Sequence, residues 1–242
     1  MAKGTSHRLE RLLYDRAYAS LRHERHAVIT VVLADDHAIV AEGLAALLRE
    51  KFTLLGTVHD GRALVAAAAE LNPDVVVTDI SMPFLNGLDA IRQIKSIRPA
   101  TNVVVLTMHI EPDLAVQAFR AGASGYVLKV SAGEELVEAV RQVAQGRAYL
   151  TSLIAKDLIT VLLEAKKESP APGERLTGRQ REVLQLIAEG RTMKEVASLL
   201  HISPRTAESH KYEIMDLLGA ENTAELVQHA IRMKLVSVST GL

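Results

Sequence analysis

Five short stretches rich in β-branched residues punctuate the first two thirds of the chain: VITVVL (28–33), FTLLGTV (52–58), DVVVT (74–78), NVVVL (102–106) and GYVLK (125–129). Between and after them the apolar residues fall at three- and four-residue spacing, near 38–50, 62–71, 87–97, 112–121 and 133–145, as in Leu136, Val137, Val140 and Val143. Runs such as Val75-Val76-Val77 lack the alternation of a strand with one wet face, so these strands are expected to be buried on both faces. Strands separated by helices pair in parallel, which predicts an α/β fold with helices on both sides of one sheet.

A further helix is expected over 150–167. The segment KKESPAPGERLTG that begins at Lys166 then gathers Pro, Gly, Ser and charge, and reads as a linker at a domain boundary. Beyond it the pattern is purely helical. Thr177 with Gln180 and Thr192 with Glu195 have the spacing of capping boxes, Ser203-Pro204 sets a cap before a proline, and Asn222 precedes Glu225 by three. Gly190 and Gly219 stand where helices should stop. Four helices near 178–189, 193–200, 204–218 and 222–235 make a small all-α domain. The expected organisation is an extension over 1–27, the α/β domain over 28–147, a linker helix and linker over 148–174, and the helical domain over 175–238.

Charge narrows the function classes. Six basic against three acidic side chains occupy residues 1–27, ten against fourteen 28–150, three against three 151–173, and nine against nine 174–242. No segment has the strong basic excess that would announce nucleic acid by itself. Cysteine is absent, which excludes disulfides, thiol catalysis and cysteine-ligated metal and suits a reducing cytoplasm. No apolar run approaches the ~18 residues of a membrane-spanning helix, and residues 1–27 lack the apolar core of a signal peptide. A cytoplasmic protein with no membrane partner is expected. Leu9, Leu12, Leu13, Ala17 and Leu21 have the spacing of an amphipathic stripe within the extension.

In an open parallel sheet the loops at the carboxyl ends of the strands converge on one crevice. Asp35 and Asp36 follow the first strand, Asp79 the third and Thr107 the fourth, and Lys129 ends the fifth. Three carboxylates brought together repel unless a cation offsets them, and an all-oxygen set favours a hard ion such as Mg²⁺. Such a cluster suits phosphoryl transfer, with one carboxylate as nucleophile and Lys129 and Thr107 binding the transferred oxygens. His37 and His109 lie near this crevice without a third nitrogen or sulfur ligand, and read as loop histidines rather than zinc ligands.

The stretches LADDH, VVVTDISMPFLNGLDA, VVLTMH and GASGYVLK resemble the receiver domain of two-component response regulators. With the helical domain, the chain resembles the NarL/FixJ family. The resemblance implies a flavodoxin-like, five-stranded parallel sheet in the order 2-1-3-4-5. It makes Asp79 the phosphoacceptor and Asp35 and Asp36 the acidic Mg²⁺ pocket, with the backbone carbonyl of Ser81 as a further ligand. Thr107 and Lys129 would contact the phosphoryl group, and Tyr126 would be the aromatic switch. Met82-Pro83 would stop the strand and open the loop beside the site. Phe84 stands where the family usually has glycine and is expected to shield the site, and Val130 stands where an acid is frequent.

The stretch from Leu176 to Leu235 resembles a LuxR-type helix-turn-helix domain, through REVLQLIAEG, KEVASLL, ISPRTAESH and AELVQHAI. In that reading 204–218 is the recognition helix, with Glu208, Ser209 and Tyr212 toward bases and Lys194, Arg205, Thr206, His210 and Lys211 toward phosphates. Helix 222–235 would pair two copies through Val227, Ala230 and Ile231. Leu217 and Glu221 stand where the family often carries a basic residue, which weakens the nonspecific electrostatic attraction to DNA. The function implied is a phosphorylation-controlled transcription regulator rather than an enzyme, with a sensor histidine kinase and double-stranded DNA as partners and a homodimer on activation. A phosphohydrolase with an aspartate nucleophile would want a second acid two residues on, where this chain has Ser81.

Overall fold

A computed structural model describes residues 28–164 and 176–236. Six strands form one sheet: β1 (Thr30–Ala34), β2 (Thr53–Val58), β3 (Val75–Thr78), β4 (Asn102–Thr107), β5 (Gly125–Leu128) and β6 (Tyr149–Leu150). Their order is β2-β1-β3-β4-β5-β6, and every pairing is parallel. The connections are α1 (Ala38–Lys51), α2 (Gly61–Leu71), α3 (Gly87–Ile97), α4 (Pro112–Ala121) and α5 (Ala132–Ala144), the last preceded by a short 3-10 turn over Lys129–Ser131.

The valine runs now have their reason. Val75 and Val77 face one core with Val31, Leu33 and Val104, closed by Leu48 of α1 and Val140 of α5. Val76 faces the other with Val32, Val103, Val105 and Tyr126, closed by Leu64 of α2 and Ile91 of α3. Successive side chains of a strand point to opposite faces, so a strand covered on both sides is apolar throughout.

The order expected for five strands holds, and a short sixth strand extends the sheet. After α5 the chain returns along the free edge of β5, where the Tyr149 amide donates to the Ser124 carbonyl and the Thr151 amide to the Tyr126 carbonyl. Helix α6 (Ser152–Glu164) follows. Its Ile154 and Leu158 enter the same core as Leu114, Ala115 and Ala118 of α4. The α/β body therefore continues past residue 147, and the helix expected as a linker is packed onto that body. The linker over 165–175, the amphipathic stripe within 1–27 and the end of the helical domain at 237–238 lie outside the described residues.

The helical domain comprises α7 (Gly178–Ala188), α8 (Met193–Leu199), α9 (Pro204–Leu218) and α10 (Thr223–Arg232). Both capping boxes form: the Thr177 and Thr192 hydroxyls accept the Gln180 and Glu195 amides, and each acid or amide side chain reaches back to the cap. Ser203 and Asn222 cap α9 and α10 by accepting the Thr206 and Glu225 amides. Gly219, at φ +65°, ends α9 in the left-handed conformation that glycine adopts without strain. Val183, Leu184, Val196, Ala207, Ile214 and Leu226 make the core.

Helix α7 rests on the α/β body across the start of α2 and the start of α3. Glu182 accepts from Arg62 at 3.0 Å and from Gln93 at 2.9 Å, and Arg181 meets Asp89 at 2.8 Å.

Two helical glycines separate packing from propensity. A Cβ on Gly61 would lie 1.9 Å from the Leu85 carbonyl oxygen, whereas one on Gly43 meets nothing within 4 Å. Gly61→Ala should therefore destabilise the protein by about 1–3 kcal/mol through overpacking, while Gly43→Ala should stabilise it by up to about 1 kcal/mol. Urea denaturation of both variants checks the pair.

Candidate functional site

The carboxyl ends of β1, β3, β4 and β5 deliver the polar residues picked from the sequence into one crevice. Each is placed by a strand buried on both faces, which leaves little freedom in position or direction. Asp35 is 1% exposed and Asp79 5%, whereas Asp36 lies nearer solvent. The Lys129 ammonium stands 2.6 Å from Asp79 Oδ2 and 2.6 Å from Asp35 Oδ2. The Ile80 amide donates to Asp79 Oδ1 at 2.6 Å, and the Ser81 amide approaches the same oxygen at 3.4 Å. Thr107 is fully buried, and its hydroxyl accepts from the His109 amide at 3.3 Å.

One ammonium shared between two carboxylates leaves each undercompensated. Burial raises the Asp79 carboxyl above its ordinary range, and the charge and hydrogen bond of Lys129 only partly oppose it. For Lys129 burial works against the charge, but Asp79 and Asp35 outweigh it and hold the ammonium above its ordinary value. The two directions agree on one picture: a firmly protonated lysine and a carboxylate pocket short of positive charge. Single ligand atoms of Asp35, Asp36, His37 and Asp79 lie within 4.8 Å of one another. Apart from the His37 ring these are oxygens, the donor type of a hard divalent cation. The ring itself stays beside Asp36, with Nδ1 2.9 Å from Oδ1.

Tyr126 is fully buried on β5, and its hydroxyl donates to the His109 carbonyl at 2.9 Å. Burial, with the charges of Glu111 and Asp79 adding to it, pushes that hydroxyl far up, so it remains a donor. His109 continues the line of polar groups. Its Nε2 is 3.4 Å from the Ser81 hydroxyl, its Nδ1 is 3.4 Å from Glu111, and Glu111 accepts from Lys234, just beyond α10, at 2.9 Å.

Known proteins resemble this chain in sequence and in fold. Residues 31–141 match the response regulator receiver domain, and residues 174–230 match the bacterial regulatory proteins of the luxR family. The oxygen regulatory protein NreC of Staphylococcus epidermidis is 35% identical over 214 residues, covering 85% of this chain and 98% of that protein. The uncharacterized transcriptional regulatory protein YxjL of Bacillus subtilis is 34% identical over 212 residues, covering 86% and 97%. The chain is a two-component response regulator. Among solved structures it is similar to RcsB of Salmonella enterica serovar Typhimurium bound to a promoter in the presence of the phosphomimetic BeF₃⁻. The TM-score is 0.55 at 29% identity, over 87% of this chain and all of that one.

In this response regulator the recognition-helix candidates divide by exposure. Arg205, Thr206, Ser209 and Tyr212 of α9 are exposed, with Lys194 on α8, whereas Glu208, His210 and Lys211 are half-buried. Arg205, Ser209 and Tyr212 recur at helical spacing and share one outward face. Leu217 is 42% exposed. The dimer candidates do not form one surface. Ala230 is fully buried with Leu226 in the core of its own domain, while Val227 and Ile231 are half-buried. Ala230 therefore has no side-chain surface to offer a partner, because α10 turns that face onto α7.

The loop after Asp79 departs from expectation. Phe84 does not shield the carboxylates. Its backbone lies at φ +64°, and its side chain packs against the core of the helical domain, with the Arg191 guanidinium 5.2 Å over the ring. Glu189 accepts from the Phe84 amide at 2.9 Å. Gln185 of α7 accepts from the Asn86 amide at 2.8 Å and donates to the Met82 carbonyl and to Glu189, each at 2.9 Å. Burial raises the Glu189 carboxyl, against the hydrogen bonds from Gln185 and Phe84. These interdomain residues escaped sequence reasoning. A visible trace was that Glu182, Gln185 and Glu189 recur at three and four residues, a polar stripe that reads as an ordinary wet face.

The raised Asp79 carboxyl has a consequence for stability. Its folded pKa lies above its unfolded one, so within that interval the native state holds the proton more tightly, and stability rises as pH falls through it. Above that interval the buried carboxylate is a cost. Asp79→Asn, in buffer containing a chelator, should raise Tm by a few degrees at neutral pH, and the gain should shrink as pH enters the carboxylate range. Thermal melts across pH test this, and a gain independent of pH would contradict it.

Proposed function

We propose that Asp79 accepts a phosphoryl group from the phosphohistidine of a sensor kinase. The observation that carries the reading is Lys129 held at 2.6 Å from both Asp79 and Asp35 at the end of a buried strand. An Asp79 oxygen forms the bond to phosphorus as the bond to the imidazole nitrogen breaks, and the imidazole leaves with the electron pair. Lys129 shifts its hydrogen bonds from carboxylate to the arriving oxygens, and Thr107 binds another. Asp35, Asp36, Asp79 and the Ser81 carbonyl would hold Mg²⁺, which supplies the positive charge this pocket lacks. Tyr126 and Thr107 report the change through His109, which both contact. Exposed apolar side chains at the same end of the sheet, Ile39 at the start of α1 and Val130 after Lys129, suit the docking of a kinase partner. Among the described residues no helix is long and apolar enough to cross a membrane, and the setting proposed is the cytoplasm. Intact-mass measurement after incubation with acetyl phosphate and Mg²⁺ is expected to show one added phosphoryl group on the wild type and none on Asp79→Ala. Equal labelling would overturn the assignment.

The second half of the function is DNA binding by α9 in the major groove. Its support is the exposed face carrying Arg205, Ser209 and Tyr212, with Thr206 and Lys194 beside it, while Glu208, His210 and Lys211 are partly covered. An RcsB structure shows two dimers bound to two parallel DNAs, with 30% identity and a TM-score of 0.53 over 83% of this chain and 97% of that one. The domain is neutral overall, so one copy releases few counterions, and two joined copies make the second contact nearly intramolecular. A homodimer through the outer face of α10, with Val227 and Ile231 at its edge, is the arrangement proposed. Leu217→Lys should strengthen binding to unrelated DNA and steepen its salt dependence by about one ion, because the side chain is exposed. Fluorescence anisotropy across a salt series checks it.

A further inference from the structure

Helix α1 starts without a side-chain cap. Asp60, Asn86, Thr177, Thr192, Ser203 and Asn222 each close the start of a helix by accepting a backbone amide with the side chain. His37 holds the same position before α1 and makes no such bond. Its ring is turned to the carboxylates instead, with Nδ1 2.9 Å from Asp36 Oδ1 and 3.5 Å from Asp35 Oδ1. The backbone is tied to the same place, because the His37 amide donates to Asp35 Oδ1 at 2.9 Å. The His37 side chain is 66% exposed and that of Asp35 1%, so the ring stands on the solvent side of the buried carboxylate. The other rings near the strand ends are engaged elsewhere. His59 Nδ1 lies 2.9 Å from the Asp35 carbonyl oxygen, and His109 spans Ser81 and Glu111.

We propose that His37 supplies a nitrogen ligand to the cation of the acidic pocket, and that this nitrogen makes the site prefer a first-row transition-metal dication to Mg²⁺. The inference rests on the reading above that Asp35, Asp36 and Asp79 hold a divalent cation. Neighbouring ligands of a six-coordinate ion with bonds of about 2.1 Å stand about 3 Å apart. Nδ1 meets that spacing against Asp36 and approaches it against Asp35. One donor atom from His37 and one from each of the three aspartates all fall within 4.8 Å of one another. Oxygen ligands suit Mg²⁺, whereas an imidazole nitrogen adds little for that hard ion and more for Fe²⁺, Co²⁺ or Ni²⁺. A single nitrogen among three carboxylates is not the nitrogen- and sulfur-rich set of a structural zinc site. A ligating Nδ1 leaves the ring hydrogen on Nε2. The pocket then responds to which divalent metal is available and not only to the amount of Mg²⁺.

The test uses the untagged full chain, titrated by calorimetry with Co²⁺ and separately with Mg²⁺. The wild type should bind Co²⁺ more tightly than Mg²⁺. His37→Ala should lose about tenfold in Co²⁺ affinity while its Mg²⁺ affinity stays within about twofold of the wild type. The side chain is exposed and caps nothing, so this variant keeps the fold. A second readout identifies the donor atom. Paramagnetic Co²⁺ should shift a solvent-exchangeable imidazole N–H signal of the wild type far outside the ordinary proton range. Excess Mg²⁺ should remove that signal by occupying the same carboxylates, and His37→Ala should lack it. The chain has nine histidines. If every such signal survives in His37→Ala, the nitrogen comes from another ring and the assignment falls. A His37-dependent signal that persists in excess Mg²⁺ would place the ion outside the pocket and overturn the proposal as well. Unchanged Co²⁺ affinity in His37→Ala, or equal losses for both ions, would refute the role of His37 while leaving the cation pocket standing. Absence of Mg²⁺ binding to the wild type would instead refute the cation pocket, and the inference with it.

Discussion

Lys129 between Asp35 and Asp79 is the interaction on which the receiver's organisation turns. A single ammonium cannot satisfy two buried carboxylates, and the third, Asp36, adds to the deficit. Buried charge without a full partner is expensive in a low-dielectric interior. The sheet can hold these groups together only because three strands anchored in two apolar cores fix their positions from behind. The proposed cation and phosphoryl group would each supply part of the charge balance that this deficit leaves unfinished.

Everything that borders the crevice is connected to something else. Ser81 leads into the loop gripped by Gln185 and Glu189, and His109 links the Tyr126 hydroxyl to Glu111 and so to Lys234. The loop after Asp79 is packed against glycine backbones at Gly61 and Gly87 and has little room to absorb a displacement. Close-packed interfaces respond to such a change by shifting between discrete arrangements rather than deforming gradually. The two domains meet through charged and amide side chains around one aromatic plug, and an interface of that composition can be exchanged for water far more readily than an apolar core.

Legibility followed the range of the interactions. The capping boxes at Thr177 and Thr192, the stop at Gly219 and the doubly buried valines were readable because each depends on a few neighbouring residues and a fixed period. The strand-end carboxylates were readable because a parallel sheet brings the carboxyl ends of its strands together. The sixth strand was not, since Tyr149 and Leu150 pair only by virtue of a free edge on β5. Nor was the docking of α6, whose apolar residues are spread around the helix and do not say which side meets α4. Ala230 was misplaced for a similar reason: helical spacing groups it with neighbours but does not say that α7 covers it.

By itself the sequence determined which segments become strands or helices, that there are two domains, and which side chains gather at the sheet's carboxyl edge, because hydrophobic period, capping and strand direction are local or topological facts. Only the tertiary structure decided where Phe84 points, why Gln185 is buried, and that α7 rather than α9 faces the loop after Asp79. Those outcomes depend on which surface of one domain meets which surface of the other. A polar stripe on a helix reads the same in sequence whether water or another domain covers it, and the difference is made by side chains a hundred residues away that complete its hydrogen bonds.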